Sequence, residues 1–161
     1  MKLVSFTAIA TALEGAAVRY LIAGGLAVNA YGYLRFTKDV DIVVQLIPEN
    51  IQRAFAALRT LGFRPFADAD TRAGWIRDKH MQVLQFWSDE HLETPIDMFV
   101  TEPFPFDEEY QRALVKPLYG SIDIRFVTLP TLIRMKQIAG RPHDLNDIEN
   151  LKMRVGGDAG K

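Results

Sequence analysis

The chain has 161 residues, about the size of one domain, and its 19 basic and 20 acidic residues leave a net charge of −1. That balance excludes a wholesale electrostatic grip on nucleic acid, although a local basic patch remains open. With no cysteine there is neither a disulfide framework nor a thiolate metal site, which fits a reducing compartment. The N-terminal run MKLVSFTAIATALEGAAV is a weak signal sequence, too short and too polar to span a membrane. The expectation is a cytoplasmic protein with no membrane segment, a single domain over residues 1–155 and a frayed tail over 156–161.

Residues 5–17 read as a helix, with Phe6, Ile9, Ala10, Leu13 and Ala17 on one stripe. Tyr20-Leu21-Ile22-Ala23 is a short apolar strand stopped by Gly24-Gly25. Leu26 to Tyr33 returns to helical composition. Val40, Ile42 and Val44 then alternate with Asp39, Asp41 and Val43, the mark of a strand with one apolar face. Pro48 opens a helix to Leu61, with Gly62 as its C-terminal glycine. Residues 63–66 begin another strand, and residues 67–74 form a polar loop.

Trp75–Arg77 and Met81–Trp87 are strand candidates, residues 88–94 a turn, and Ile96–Val100 a strand. Asp107 caps a short helix to Leu114. Val115–Tyr119 and Ile122–Val127 flank Gly120-Ser121 as a hairpin. Thr128–Gly140 is a helix with Pro130 in its first turn, and a last helix runs from about Asp144 to Arg154. This order predicts an α+β (mixed α/β) domain around one central sheet flanked by helices.

Two carboxylates stand one residue apart on the strand at 40–44. Residues i and i+2 of a strand point the same way, roughly 6.6–6.8 Å apart, so Asp39 and Asp41 share a face. Like charges side by side are costly unless a cation lies between them. Mg²⁺, which takes oxygen ligands together with water and substrate phosphates, is such a cation. The plain alternative is a half-exposed strand whose wet face is acidic. Asp97 interrupts Ile96-Asp97-Met98-Phe99-Val100, where an ionised side chain needs a partner. If the two strands are neighbours, three carboxylates converge as a two-metal site requires. Otherwise Asp97 is an edge residue paired with an arginine such as Arg125. Gly24-Gly25, between a strand and a helix, lets backbone N–H groups approach a phosphate.

Ala23-Gly24-Gly25, thirteen residues, and then Asp39-Val40-Asp41-Ile42, with Asp97 on a later strand, resemble the signature of the DNA polymerase β-like nucleotidyltransferase superfamily. Within it the chain looks most like small bacterial nucleotidyltransferases of the AbiEii toxin type. That likeness rests on Arg35-Phe36-Thr37, on Met135-Lys136, and on Gly140-Arg141-Pro142-His143-Asp144 with Asp147-Ile148. The resemblance implies two Mg²⁺ ions and a nucleoside triphosphate such as ATP or GTP. Asp39 and Asp41 would bind both ions, and Asp97 the one that activates the attacking hydroxyl. Gly24 and Gly25 would hold the β- and γ-phosphates. Thr37 belongs to the same nucleotide-binding segment.

Arg35 and Lys38 flank the acids and either hold triphosphate or screen the carboxylates. Relatives of the toxin type implicate Lys136 and either Asp144 or Asp147. The residues themselves read more simply: a lysine stem packed on a helix with its head in water, an N-cap and a first-turn acid. His80 and His91 fall in loops and read as solvated, and Trp75 and Trp87 as core or sheet-face residues. The acceptor is left open among RNA, protein and small molecules. Its site is expected on residues 67–94, on the C-terminal helices or on another subunit. The competing expectation is a catalytically silent binding protein of a toxin–antitoxin pair.

Overall fold

A computed structural model describes residues 1–68, 70–71 and 82–158. The chain runs α1 (Leu3–Gly15), β1 (Tyr20–Ile22), α2 (Gly24–Ala30), β2 (Val40–Val44), α3 (Pro48–Thr60), β3 (Arg64–Pro65), β4 (Val83–Trp87) and β5 (Ile96–Phe99). It continues with α4 (Phe106–Arg112), β6 (Leu114–Leu118), β7 (Ile122–Phe126), α5 (Leu129–Ala139) and α6 (Pro142–Asp158). The strand expected at 75–77 and the start of the one at 81–87 lie outside the described residues, as do Trp75 and His80.

Seven strands form one mixed sheet in the order β3-β4-β5-β2-β1-β7-β6. β2 lies antiparallel to β1 and parallel to β5. The strand at the middle of this order is β2, and four of its five residues, Val40, Ile42, Val43 and Val44, are buried. Both of its faces are therefore covered, where alternation had predicted one. Asp41 is the sole polar residue of the strand. α1 packs with α3, while α2 contacts α5 and α5 contacts α6. The core between these layers includes Ile9, Leu13, Leu21, Ile42, Leu58, Ile96, Met98 and Leu132, each fully buried.

Several ends differ from the sequence reading. α2 begins at Gly24, two residues earlier, because Gly24 takes φ +60° and turns the chain directly out of β1. α4 has no side-chain cap. Asp107 sits inside its first turn and instead pairs with Arg19 at 3.0 Å. α6 starts at Pro142, whose ring suits a first turn, and extends to Asp158. α5 agrees with expectation: the Thr128 hydroxyl accepts from the Thr131 N–H, and Gly140 closes the helix at φ +63°.

Candidate active site

The pairing of β2 with β5 builds the site. In this parallel register Val40 faces Ile96 and Asp41 faces Asp97. Asp39 stands just before the strand, on the side of Asp41. The three carboxylates line one cavity of about 350 Å³ together with Gly24 and Gly25. α5 contributes Leu132, Met135 and Lys136 to the lining, and Arg141 joins them. Asp97 makes no pair with Arg125, whose guanidinium lies over the Tyr110 ring. Its Oδ1 accepts from Gln85 Nε2 at 3.2 Å across β4.

The glycine pair has a steric reason. A β-carbon on Gly24 would fall 1.9 Å from Asp41 Oδ2, and one on Gly25 would fall 2.4 Å from Thr37 Oγ1. The bare backbone at the start of α2 therefore lets the acidic strand and the following loop close onto it. The Ala23 N–H donates to the Asp41 carbonyl at 3.0 Å, fastening the turn to the strand.

Electrostatics mark the acids as unbalanced. Burial, reinforced by the charges of Asp97 and Asp39, pushes the Asp41 carboxyl up to about 6. Burial and Asp39 also raise Asp97, against the Gln85 hydrogen bond and Arg141. Among the described residues no three His, Asp or Glu side chains form a ready-made metal cluster. Mg²⁺ does not require one, since it takes one or two carboxylates and completes its shell with water and phosphate oxygens. An all-oxygen donor set whose carboxylates repel one another fits a hard divalent cation.

A second set of charges braces the cavity from behind. Arg35 grips Asp147 through Nε and Nη2, both at 2.8 Å, and donates Nη1 to the Phe36 carbonyl. Lys136 Nζ reaches Asp144 Oδ1 at 2.9 Å and Asp147 Oδ2 at 2.8 Å. Arg141 Nε reaches Asp144 Oδ2 at 2.8 Å. Lys136, Asp144 and Asp147 are almost fully buried. These observations correct two simple readings: the Lys136 head is not in water, and the two acids are buried rather than at the surface, although Asp144 does stand in the first turn of α6, where its Oδ2 accepts from the Arg141 N–H at 3.3 Å. Burial opposes ionisation of Asp144, but hydrogen bonds from Arg141 and Lys136 prevail and hold it at about 2. Asp147 is lowered in the same way: burial opposes, and the bonds from Arg35 and Lys136 prevail.

Each nucleotide-binding candidate is thus located. Gly24, Gly25, Arg35, Thr37, Lys38 and Lys136 all line the cavity. Arg35 and Lys136 do so as members of the ion network rather than as free cations, and Lys38 is exposed. Sequence reasoning assigned no role to Asn29, Gln85 or Arg141. Asn29 pins the loop by exchanging two 3.0 Å hydrogen bonds with the Arg35 backbone. Of the three, only Arg141 lay in a block already marked by pattern. His91, expected in water, stacks on Phe63 and meets Ser5 Oγ at 2.9 Å.

No protein-family model matches the chain, and no curated protein matches it in sequence. Solved structures do match in fold. The solution structure of the antibiotic-resistance factor ANT(2'')-Ia superposes with a TM-score of 0.64 at 14% identity, covering 97% of this chain and 85% of that one. Its crystal structure in complex with adenylyl-2''-tobramycin gives 0.59 at 14% identity, covering 98% and 91%. The lincosamide antibiotic adenylyltransferase LnuA, bound to lincomycin, gives 0.54 at 14% identity, covering 86% and 89%. The fold is that of the nucleotidyltransferases. At such identity the nucleotidyltransferase likeness concerns the path of the backbone, and chemistry must be argued from the side chains. Among the described residues no helix is long and apolar enough to cross a membrane.

Proposed function

We propose that this protein is a metal-dependent nucleotidyltransferase that moves a nucleoside monophosphate from a triphosphate to an acceptor hydroxyl. The observation that carries this reading is the register Asp41 opposite Asp97, which sets both acids in one cavity with Asp39 and the glycine turn. Asp39, Asp41 and Asp97 are the residues to hold Mg²⁺, which supplies charge neutralisation for the phosphates when bound. Gly24, Gly25 and Thr37 offer a close-approach wall for the triphosphate, and Lys38 stands at its edge.

In the reaction, the acceptor oxygen forms a bond to the α-phosphorus. The bond between the α-phosphorus and the bridging oxygen breaks, and pyrophosphate leaves with the electron pair. Asp97 takes the hydroxyl proton. Its place opposite Asp41, in the wall of the same cavity, suits it to that role. The chain's remaining work is positioning. Asn29 and the Arg35–Asp147 pair fix the loop that carries Thr37 and Lys38, and Arg141 faces Asp41 and Asp39 as a fixed cation.

Pairing with an antitoxin is a narrower expectation that the fold does not select. The test of the reading uses triphosphates labelled at the α- or γ-position, incubated with Mg²⁺, the protein and separated RNA, protein and small-molecule fractions of a cell lysate. Label from the α-position alone should enter one fraction. It should fail to do so with Asp41→Asn protein that retains its circular dichroism. Transfer from the γ-position would replace this reading with phosphotransfer, and no transfer with any of four triphosphates would leave a silent binding protein.

A further inference from the structure

A second cavity adjoins the first. It has about 660 Å³ and shares Asp41, Asp97, Phe99, Met135, Ala139 and Arg141 with the first. Its own walls come from the segment after β5, which contributes Glu102 and Phe104, and from α5, which contributes Arg134 and Ile138. The two cavities therefore adjoin at the carboxylates, and the proposed proton acceptor lines the second as well as the first. This inference rests on the nucleotidyl-transfer reading for its chemistry, but not for its existence as a binding site.

We propose that this second cavity is the acceptor pocket, and that it takes a small alcohol with a partly apolar body and a second hydrogen-bond donor. Its volume falls within the roughly 300–1,000 Å³ of small-molecule sites. Ile138, 75% exposed on α5, offers apolar surface that such a body would cover. Glu102 lines the cavity as an exposed residue, and its Oε1 accepts from the Phe106 N–H at 2.7 Å. An ionised carboxylate only accepts, so the group that meets it must donate. A nucleic-acid end fits less well. Arg141 is engaged by Asp144, and among the described lining residues only Arg134 is a further cation beside the carboxylates of Asp41, Asp97 and Glu102, too little for a phosphate backbone.

The test uses 4-(aminomethyl)benzyl alcohol as the probe and the full chain without nucleotide. Saturation-transfer NMR measures its dissociation constant against wild type, Ile138→Trp and Glu102→Gln, and calorimetry with Mg²⁺ and each triphosphate runs in parallel. Ile138→Trp fills the cavity and should weaken the probe at least tenfold. Glu102→Gln should weaken it severalfold, and triphosphate binding should be unchanged in both. With nucleotide present, α-label should appear on the probe and fall in step with its binding. Probe binding that neither variant alters, or that triphosphate displaces, overturns the pocket; so does an absence of probe binding, or label entering a short single-stranded RNA in preference to the probe. If the variants weaken the probe but no triphosphate binds, the pocket stands and the transfer reading fails.

Discussion

Gly24 is pressed against Asp41 so closely that a β-carbon would lie 1.9 Å from Oδ2. Gly24→Ala must therefore push the carboxylate aside as well as bear a left-handed backbone at φ +60°. The backbone term is roughly 1–2 kcal/mol. We expect a modest loss of stability, about 1–3 kcal/mol, but a loss of transfer of at least a hundredfold, because Asp41 is displaced. Urea titration and the labelled-nucleotide assay separate the two effects. An alanine variant with near-normal transfer would show that Asp41 need not hold this position.

Burial, reinforced by the charges of Asp97 and Asp39, raises Asp41 with a definite consequence for stability. Asp41 rises from an ordinary 3.8 to about 6, so the folded state binds its proton more tightly than the unfolded state. Stability is then lost as pH rises from about 4 through about 6, by up to about 3 kcal/mol. Asp41→Asn removes that cost. Without metal, the variant should melt several degrees above wild type at pH 7.5, and the difference should vanish by pH 4. Thermal melts at the two pH values decide it, and a variant less stable than wild type at pH 7.5 would rule out the electrostatic account.

Mg²⁺ should reverse the ranking. An ion that binds only the folded state adds RT ln(1 + [L]/Kd) to stability. Millimolar Mg²⁺ with triphosphate should raise the melting temperature of wild type, raise Asp39→Asn and Asp97→Asn less, and leave Asp41→Asn nearly unmoved. Chelation should abolish the shifts. Equal shifts in all four proteins would place the ion elsewhere.

Lys136 bridges two buried carboxylates, and each keeps a second cation, Arg141 or Arg35. Removing one partner of a buried pair costs roughly 3–5 kcal/mol when a charge is left unpaired. Because neither acid is left alone, Lys136→Met should cost at the lower end, about 3 kcal/mol. It should also raise the pH at which acid unfolding begins, since Asp144 and Asp147 would lose part of what holds them ionised. Denaturant titration from pH 3 to 7 measures both. Unchanged stability in Lys136→Met would show that the network carries no net energetic weight.

Arg35→Gln tests the loop. The change leaves Asp147 with Lys136 but frees the segment carrying Thr37 and Lys38. The concentration of triphosphate needed for half-maximal transfer should rise about tenfold, with a smaller fall in maximal rate. An equal fall in both measures would give Arg35 a role in the chemical step instead.

The sequence by itself determined the elements and the chemistry on offer. Alternation marked β2, helical stripes marked α1 and α3, Pro130 and Gly140 bounded α5, and the glycine pair with Asp39, Asp41 and Asp97 marked the acids. Those signals are local, so they survive without knowledge of neighbours. Only the tertiary structure decided which residues meet. Asp97 lies opposite Asp41 because β2 and β5 pair in parallel although 56 residues separate the two acids along the chain, a contact no local pattern encodes. For the same reason Lys136, Asp144 and Asp147 read as ordinary surface residues along the chain. Burial on α5 and α6 made them an ion network with Arg35 and Arg141, because charges withdrawn from water must find partners, and one of those partners, Arg35, lies 112 residues from Asp147 along the chain.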